Sequence, residues 1–559
     1  MDTQDNSRLK AFKSTKWMII TTVVYSIIAL IILPRHWMAN DNYSFIRDIE
    51  GGFPTVFFSP VLGKALSILY INISDSIAWY GIFIYVCHLL SQLIIVYTIS
   101  KLHLPTFYKW VLFGISTLLY TRFIYATGYN SAAILLTGSS SFLFLTLVTK
   151  KENTKWLIYC LLGLLLALAY LIRSKALIGT FIFLTPAIFI YMLYSKVRFN
   201  KGWVFFIIPL LLGVSAHKMY ISFCTDHQYK NFIEWNSGRG KFHDFHIQEL
   251  QRNNTEFFLN SDWSRLDYEL LDEWYIFDEN IFNTRSINQL LDYPVPQELI
   301  LSSQLDLTAS KLMRYDWQNF ISICTLVIST IALVSMLKTE NTGLLSRLNL
   351  YYFLLVGAAM TYFMRFPERI AFPFAYITLL SILALSNLDS FHSMKITKLK
   401  KCLVSTLLVF SIVLYFYNFT HNIKEDKREI DTFYRGNTLL NHYIDRYNYV
   451  AMYPSNANLK WQFADPLKVY NENFISIPGG WPAFSPRFYS SINDLDLNHG
   501  HELFPRIVNG EHVLVIATRY RISLLTQYLS VQLGIECDVE YKGSIGNFAN
   551  MYELHPATK

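Results

Sequence analysis

Eleven predominantly apolar stretches, each about 16 to 24 residues long, are the strongest constraint on how this chain folds. Roughly 20 apolar helical residues cross a bilayer core about 30 Å thick. Only 16% of the residues are charged, below the roughly 25% of typical soluble domains. The sequence therefore predicts a polytopic α-helical membrane protein with about 11 transmembrane helices, and it excludes a disordered chain. The predicted spans are 17–34, 77–100, 107–122, 130–149, 156–172, 176–195, 203–223, 318–337, 348–364, 370–386 and 401–418.

Basic residues between the spans predict the orientation. If the N-terminus is cytoplasmic, the six cytoplasmic segments together carry 16 Lys and Arg residues against 5 Asp and Glu residues. Cytoplasmic connections of membrane proteins are enriched in Lys and Arg. We therefore expect a multi-pass protein of a bacterial inner (plasma) membrane, with its C-terminus on the periplasmic or extracellular side. The six segments are 1–16, 101–106, 150–155, 196–202, 338–347 and 387–400.

This topology divides the chain into membrane-spanning and outer parts. In the first outer loop, segment 58–72 is apolar but short and contains Lys64, which favours a juxtamembrane helix. The tail predicts an extracytoplasmic α/β domain, because an apolar β-branched run at 512–518 precedes a helical pattern at 521–534 and two short strands. The parts are a cytoplasmic N-terminus 1–16, spans one to seven at 17–223 with the first outer loop 35–76, an extracytoplasmic loop 224–317, spans eight to eleven at 318–418, and the outer domain 419–559.

Known cofactor motifs are absent from the sequence. It contains no G-x-G-x-x-G, no P-loop, no H-E-x-x-H and no C-x-x-C pair, so nucleotide and zinc-protease chemistry have no motif support. A divalent cation as cofactor has no motif in its favour either. The net charge of +7 reflects topology first, and no nucleic-acid partner is indicated.

Six cations lie at the predicted outer ends of spans, where the orientation rule expects few. Charge at membrane depth is costly and is usually paired or functional. One interpretation is a shared anion such as a lipid phosphate, which arginine binds through paired hydrogen bonds. The other is that these side chains reach lipid headgroups or pair with local acids such as Glu368. The six residues are Arg122, Arg173, Lys175, Lys218, Arg365 and Arg369.

A carboxylate follows the first span closely, in the sequence Asn40-Asp41-Asn42. At the membrane surface Asp41 would be placed to accept a proton from a hydroxyl or to hold a divalent cation beside a phosphate. Alternatively the segment is an interfacial turn, with Trp37 as the anchor of the helix end.

Two further segments combine aromatic and polar residues. Loop 224–317 carries Trp235, Trp263, Trp274 and Trp317 and is rich in acids, a composition that suits sugar binding but equally a small aromatic core. Segment 477–489 contains Gly-Gly, two prolines, Trp481 and Arg487, and is either a substrate-facing loop or a rigid turn.

The layout resembles that of the GT-C-type membrane glycosyltransferases, and is most similar to bacterial glucosyltransferases of O-antigen and other surface polysaccharides. The shared features are many spans, an acid shortly after the first span, juxtamembrane helices and a soluble outer domain at the C-terminus. The resemblance implies a polyprenyl-phosphate-linked hexose as donor and a glycan as acceptor. It also implies Asp41 as the catalytic residue. The family often has an Asp-Asp or Asp-Glu pair where this chain has Asn40-Asp41-Asn42, which leaves metal dependence open.

In this interpretation the six outer cations hold the donor phosphate, and Trp481, Arg487 and Glu368 contact the acceptor sugar. Three alternatives remain. An O-antigen polymerase is also multispan and arginine-dependent, but it usually lacks a large soluble tail. A transporter or flippase would be expected to show repeated halves and polar residues within the spans. A non-enzymatic assembly or immunity protein would survive loss of Asp41.

Overall fold

The computed structural model of the chain describes residues 2–39, 41–149, 155–195, 201–244, 251–252, 254–294, 328–330, 340–363, 367–385, 398–447, 450–453, 460–470, 476–509, 513–545 and 549–558. The described part is mostly helical. Its helices are α1 Asp2–Ile32, α2 Asp41–Glu50, α3 Pro60–Asn72, α4 Trp79–Lys101, α5 Thr106–Tyr125, α6 Tyr129–Thr149, α7 Trp156–Ser195, α8 Lys201–Phe223, α9 His227–Asp244, α10 Thr255–Asn260, α11 Arg265–Asp272, α12 Thr284–Asp292, α13 Glu340–Phe363, α14 Glu368–Leu385, α15 Lys398–Tyr447, α16 Pro486–Asn493, α17 Leu503–Val508 and α18 Arg519–Leu533. Its strands are β1 His36–Trp37, β2 Ala126–Thr127, β3 Val450–Tyr453, β4 Ser476–Pro478, β5 Val513–Ala517, β6 Cys537–Ile545 and β7 Ala549–Pro556.

Helices long and apolar enough to cross a membrane account for much of the chain. Within the described residues six qualify, and two further apolar helices, Leu348–Met360 and Arg369–Ser381, are shorter. These helices are those of a helical membrane protein. The predicted span 318–337 lies outside the described residues except for 328–330. The six are Ser14–Ile32, Trp79–Lys101, Tyr129–Val148, Trp156–Ile190, Lys201–Phe223 and Cys402–Ile444.

Helix α7 is broken at Arg173, where φ of −160° and ψ of 97° are not helical. The part before the break runs parallel to α8, because Trp156 contacts Phe205 near one end (ring centroids 5.4 Å apart) and Tyr170 contacts His217 near the other (5.6 Å). The short connection between α7 and α8 spans at most about 20 Å. The chain after Arg173 must therefore run back along the bundle. Arg173 lies at the tip of a helical hairpin, which agrees with the separate spans expected at 156–172 and 176–195.

Helix α6 is the centre of the helical bundle, and its apolar stretch is buried along its whole length. It presents small residues to the neighbouring helices, including Ala132, Ala133 and Gly138. At Gly138 the side chain of Ile377 from α14 approaches so closely that a Cβ atom would lie 1.9 Å from its Cδ1. Small residues allow such close helix packing in membranes, so α6 can contact α4, α7 and α14 at once.

The C-terminal region contains a five-stranded sheet with the order β4-β3-β5-β7-β6. Strands β4, β3 and β5 are parallel, and β7 is antiparallel to both β5 and β6. Every residue of β5 is buried, as expected for a central strand with apolar β-branched residues. Helix α18 ends at Gly534, which has a positive φ of 66°. The strand, the helix and the two further strands lie where the sequence predicts them.

The segment after α8 and the C-terminal region share one hydrophobic core, and together residues 224–294 and 450–556 are called here the globular unit. Polar contacts join them as well: the Tyr528 hydroxyl donates to Asp278 at 2.5 Å, and Arg521 pairs with Glu273 at 2.8 Å. Neither segment therefore completes its core without the other. The shared core includes Tyr229, Phe232, Trp235, Tyr268 and Phe277 from the first segment and Ile477, Phe488, Val513, Leu525 and Tyr528 from the second.

Helix α15 connects the bundle to the globular unit. The sequence predicts a span at 401–418 only, whereas the helix continues without interruption to Tyr447. Beyond the predicted span, Asp426 accepts a hydrogen bond from the Tyr125 hydroxyl and lies 3.5 Å from His36 Nε2. These contacts hold the extension of α15 against the ends of α1 and α5.

Candidate functional site

A two-stranded sheet at the ends of α1 and α5 positions the predicted catalytic residue. Strands β1 and β2 are parallel, and the Met38 N–H donates to the Thr127 carbonyl at 2.7 Å. Both strands lead into helices, so the first residue of α2, Asp41, is brought beside the first residue of α6, Tyr129. The Tyr129 hydroxyl donates to Asp41 Oδ2 at 3.4 Å.

Asn42 fixes the start of α2. Its Nδ2 donates to the Ala39 carbonyl at 3.0 Å, and its Oδ1 accepts a hydrogen bond from the Tyr80 hydroxyl at 2.9 Å. The residue is fully buried, so these bonds satisfy polar atoms that would otherwise be costly to bury. Asn42 thus orients its neighbour Asp41, while Asn40 lies outside the described residues.

Two of the six predicted cations meet at Tyr129. The Arg173 guanidinium lies 4.7 Å from the centroid of the Phe57 ring and 5.7 Å from that of Tyr129, and it donates to the Phe57 carbonyl at 3.4 Å. The charge of Arg369, in the first turn of α14, also acts electrostatically on Tyr129, as do the charges of Arg173 and Asp41. Tyr129 therefore contacts one carboxylate and one guanidinium group, and the charge of a second guanidinium acts on it electrostatically.

The Arg369 side chain has unused hydrogen-bonding capacity. Its Nε is buried and has no hydrogen-bond partner among the described residues. Buried polar atoms without a partner are uncommon in proteins and call for an explanation such as a ligand or water. An arginine placed in this way can donate to an anion.

The other predicted cations have different surroundings. The Arg122 guanidinium lies 5.3 Å from the ring centroid of Phe372, one turn after Arg369 in α14, so it belongs to the same end of the bundle. The side chains of Lys175 and Lys218 are exposed. Arg365 lies outside the described residues, and Glu368 is the first residue of α14.

The sequence did not single out Tyr129 or Phe57, although they connect Asp41 to Arg173. Tyrosine is common at the ends of membrane spans as an interfacial anchor, and Tyr129 fits that pattern. Its role as a common neighbour of three charged residues is visible only in the folded chain.

Packing and ion pairing account for Trp481 and Arg487. Trp481 is only 8% exposed and lies between Phe45 (ring centroids 5.6 Å apart) and Phe57 (5.0 Å). A sugar would need an open ring face, so we do not assign Trp481 to the acceptor site. Its rings nevertheless join the globular unit to the segment that contacts Arg173.

Arg487 neutralises a buried acid instead of facing solvent. Its Nε lies 2.9 Å from Asp48 Oδ1, and the two side chains are 12% and 6% exposed. Burial raises the pKa of Asp48 to about 7, and the nearby Arg487 charge opposes this shift without cancelling it. The pair fastens α2, and with it Asp41, to the globular unit.

The tryptophans of the segment after α8 are core residues. Trp235 and Trp263 are buried in the shared core, and their indole N–H groups donate to the carbonyls of Phe282 and Ser286. Of the two alternatives for this loop, the aromatic core is correct for these residues. Trp274 is partly buried and stacks on His243 at 4.0 Å, and Trp317 lies outside the described residues.

Potential metal ligands cluster away from Asp41. Within the described ranges two groups of three have ligand atoms close together: Asp278, Glu279 and His501, and Glu540, Glu553 and His555. Neither group includes Asp41, so the candidate site is described by its carboxylate and its arginines. No family model, no curated protein and no solved structure matches this chain, and the site is interpreted from its own chemistry.

Proposed function

We propose that the chain is a membrane glycosyltransferase that moves a hexose from a polyprenyl-phosphate donor to a surface glycan such as O-antigen. Glucose is the hexose we propose. The observation that carries the proposal is that Tyr129 contacts both Asp41 and Arg173, while Arg369 acts on it electrostatically and has a buried Nε without a hydrogen-bond partner among the described residues. The three charged residues come from separate elements, namely α2, the hairpin tip of α7 and the first turn of α14. A carboxylate beside two guanidinium groups provides a proton acceptor and an anion site in one place.

The proposed reaction is a single displacement at the anomeric carbon. Asp41 takes the proton from an acceptor hydroxyl, and that oxygen forms the new glycosidic bond. The bond between the anomeric carbon and the phosphate oxygen breaks, and its electron pair leaves with the polyprenyl phosphate. Arg173 and Arg369 stabilise the anion as it forms, which lowers the barrier because their positions are already set. Arg122 and the remaining outer cations, Lys175, Lys218 and Arg365, would attract the charged donor to this end of the bundle.

A lipid-linked donor agrees with the surroundings of the site. Many apolar side chains of α7 and α8 are exposed, including Ile178, Ile182 and Leu211, as expected for surfaces in contact with lipid tails. An isoprenoid chain could lie against such a surface while its phosphate reaches the arginine at the hairpin tip. A donor of this kind needs no nucleotide-binding motif.

The proposal includes about 11 spans, a cytoplasmic N-terminus and a periplasmic or extracellular C-terminus in a bacterial inner membrane. It then follows that the globular unit and the site share the outer side. Fusions of a topology reporter at Lys150 and at Lys559 test this arrangement. We expect a cytoplasmic signal from the first and an outer signal from the second, and the reverse pattern would contradict the proposed orientation.

The decisive experiment compares glycan masses from cells that carry the native gene, Asp41→Asn or Asp75→Asn. Asp75 is an exposed acid of the same predicted outer loop and serves as the matched control. Removal of a general base costs about 10²- to 10⁴-fold in rate, so Asp41→Asn should abolish one hexose per repeat while the control keeps it. An unchanged glycan in Asp41→Asn cells contradicts the transferase. A changed chain length with an unchanged repeat mass would indicate a polymerase.

A further inference from the structure

A second cluster of polar residues lies within the globular unit, where its two segments meet. Asp278 and Glu279 belong to the first segment, and His501 belongs to the C-terminal segment. One ligand atom from each lies within 4.8 Å of the others. The contact is tight, because a Cβ at Gly500 would lie 2.0 Å from the Phe277 carbonyl oxygen.

Hydrogen bonds hold the two carboxylates in place. Asp278 accepts from the Asn280 N–H at 2.9 Å and from the Tyr528 hydroxyl at 2.5 Å. Glu279 Oε1 accepts from the Gly500 N–H at 2.8 Å. Supporting bonds of this kind, which orient a carboxylate through its other lone pairs, are typical of the groups around metal ligands.

The remaining atoms of the cluster face each other without hydrogen bonds. Glu279 Oε2 and His501 Nδ1 are 3.6 Å apart, within ion-pair distance, and the two side chains are 20% and 37% exposed; the two facing atoms are themselves buried, and neither has a hydrogen-bond partner among the described residues. Asp278 is also buried. Two atoms without hydrogen bonds that converge with a third, oriented carboxylate form a polar cluster of the type that an ion completes.

We propose that Asp278, Glu279 and His501 bind a zinc ion that clamps the two segments of the globular unit together. Two carboxylates and a neutral imidazole balance the charge of a divalent ion, and both ligand types are common for zinc. Zinc ligands lie about 2.0–2.2 Å from the metal, so the three ligand atoms, which lie within 4.8 Å of one another, would close around the ion. The ion would link residues that are more than 200 positions apart in the sequence, and the unit would gain stability from binding.

The other cluster of similar composition provides an internal control. Glu540, Glu553 and His555 also lie together, but the Lys542 ammonium occupies the position between the carboxylates, at 2.6 Å from Glu540 and 2.8 Å from Glu553. These acids already have a cationic partner, so we expect no zinc there.

The test uses the full-length protein in detergent, stripped of metal with EDTA and titrated with zinc. We expect one zinc ion per chain with an affinity that falls at least tenfold in His501→Asn, an increase in melting temperature on zinc addition, and native behaviour of the control His555→Asn. Glu279→Gln is the second variant, because glutamine still accepts the Gly500 N–H and should fold while losing affinity. Native protein that binds no zinc, or His501→Asn protein that binds it as tightly as the native protein, overturns the proposal in favour of a simple Glu279–His501 ion pair.

Discussion

Replacing Arg487 by alanine tests whether the buried pair with Asp48 fastens α2 to the globular unit. The substitution removes the guanidinium 2.9 Å from a carboxylate whose side chain is 6% exposed. Removal of one partner from a buried ion pair costs about 3–5 kcal/mol when it leaves an uncompensated charge. Asp48 can avoid that charge by binding a proton, so the loss of stability should depend on pH.

The direction of the pH dependence follows from the pKa of Asp48, which burial raises from 3.8 to about 7. Between these values the folded protein holds a proton that the unfolded chain releases, so stability decreases as pH rises. One such proton changes the free energy of unfolding by about 1.4 kcal/mol per pH unit. From about pH 5.5 to about pH 8 the native protein should therefore lose about 2 kcal/mol from this group, because the effect ends near its folded pKa.

Arg487→Ala should raise the pKa of Asp48 further, because the only charge that opposes the effect of burial in this group is removed. The variant should therefore continue to lose stability above pH 7, where the loss in the native protein ends, at up to about 1.4 kcal/mol per pH unit. The gap between variant and native protein should widen by up to about 1.4 kcal/mol between pH 7 and pH 8. Chemical unfolding in detergent, followed by tryptophan fluorescence at both pH values, measures this difference.

The matched control is Arg521→Ala. Arg521 is likewise paired with an acid, in this case between the two segments of the globular unit, but its partner Glu273 is 29% exposed and can be hydrated when the arginine is lost. Arg521→Ala should therefore lower the free energy of unfolding less, by about 1 kcal/mol or less. A deficit of Arg487→Ala that is the same at both pH values, or no larger than that of the control, would refute the reasoning.

Two further substitutions test other contacts. Tyr129→Phe keeps the ring beside Arg173 but removes the hydroxyl that donates to Asp41. Loss of one hydrogen bond of about 1 kcal/mol should slow hexose transfer roughly five- to tenfold, as measured with purified enzyme and lipid-linked donor. An unchanged rate would show that Tyr129 does not orient Asp41. Gly500→Ala places a Cβ 2.0 Å from the Phe277 carbonyl oxygen, so the two segments of the globular unit must separate at a cost of about 1–3 kcal/mol. The melting temperature measures this loss of stability. A melting temperature equal to that of the native protein would mean that the contact is looser than described.

Local patterns in the sequence predicted the local structure well. Apolar length located six helices long enough to cross a membrane among the described residues, and the change from an apolar β-branched run to a helical pattern located β5 and α18. Arg173 and Lys175 separated two spans because charge is costly within a bilayer, and the chain indeed breaks at Arg173. The continuation of α15 beyond 418 was not predicted, because its charged second half no longer has the apolar composition of a span.

Contacts between distant residues could not be read from the sequence. Trp235 and Trp263 are residues that suit either a sugar-binding surface or a hydrophobic core. Only their burial against the C-terminal segment distinguishes the two. The same holds for the candidate site. The unusual position of the cations identified Arg173 and Arg369, whereas Tyr129, which lies between them and Asp41, looked like an ordinary anchor.

The shared core of the globular unit has a consequence for biogenesis. Its first half ends near residue 294 and its second half begins near residue 450, so about 155 residues must be synthesised before the halves can meet. At typical translation rates this takes roughly 10 to 30 seconds. During that interval the aromatic face around Tyr229 and Trp235 has no counterpart and is prone to aggregation. Maturation of this protein should therefore depend on a chaperone that protects this aromatic face, and should be sensitive to any delay between the synthesis of the two halves.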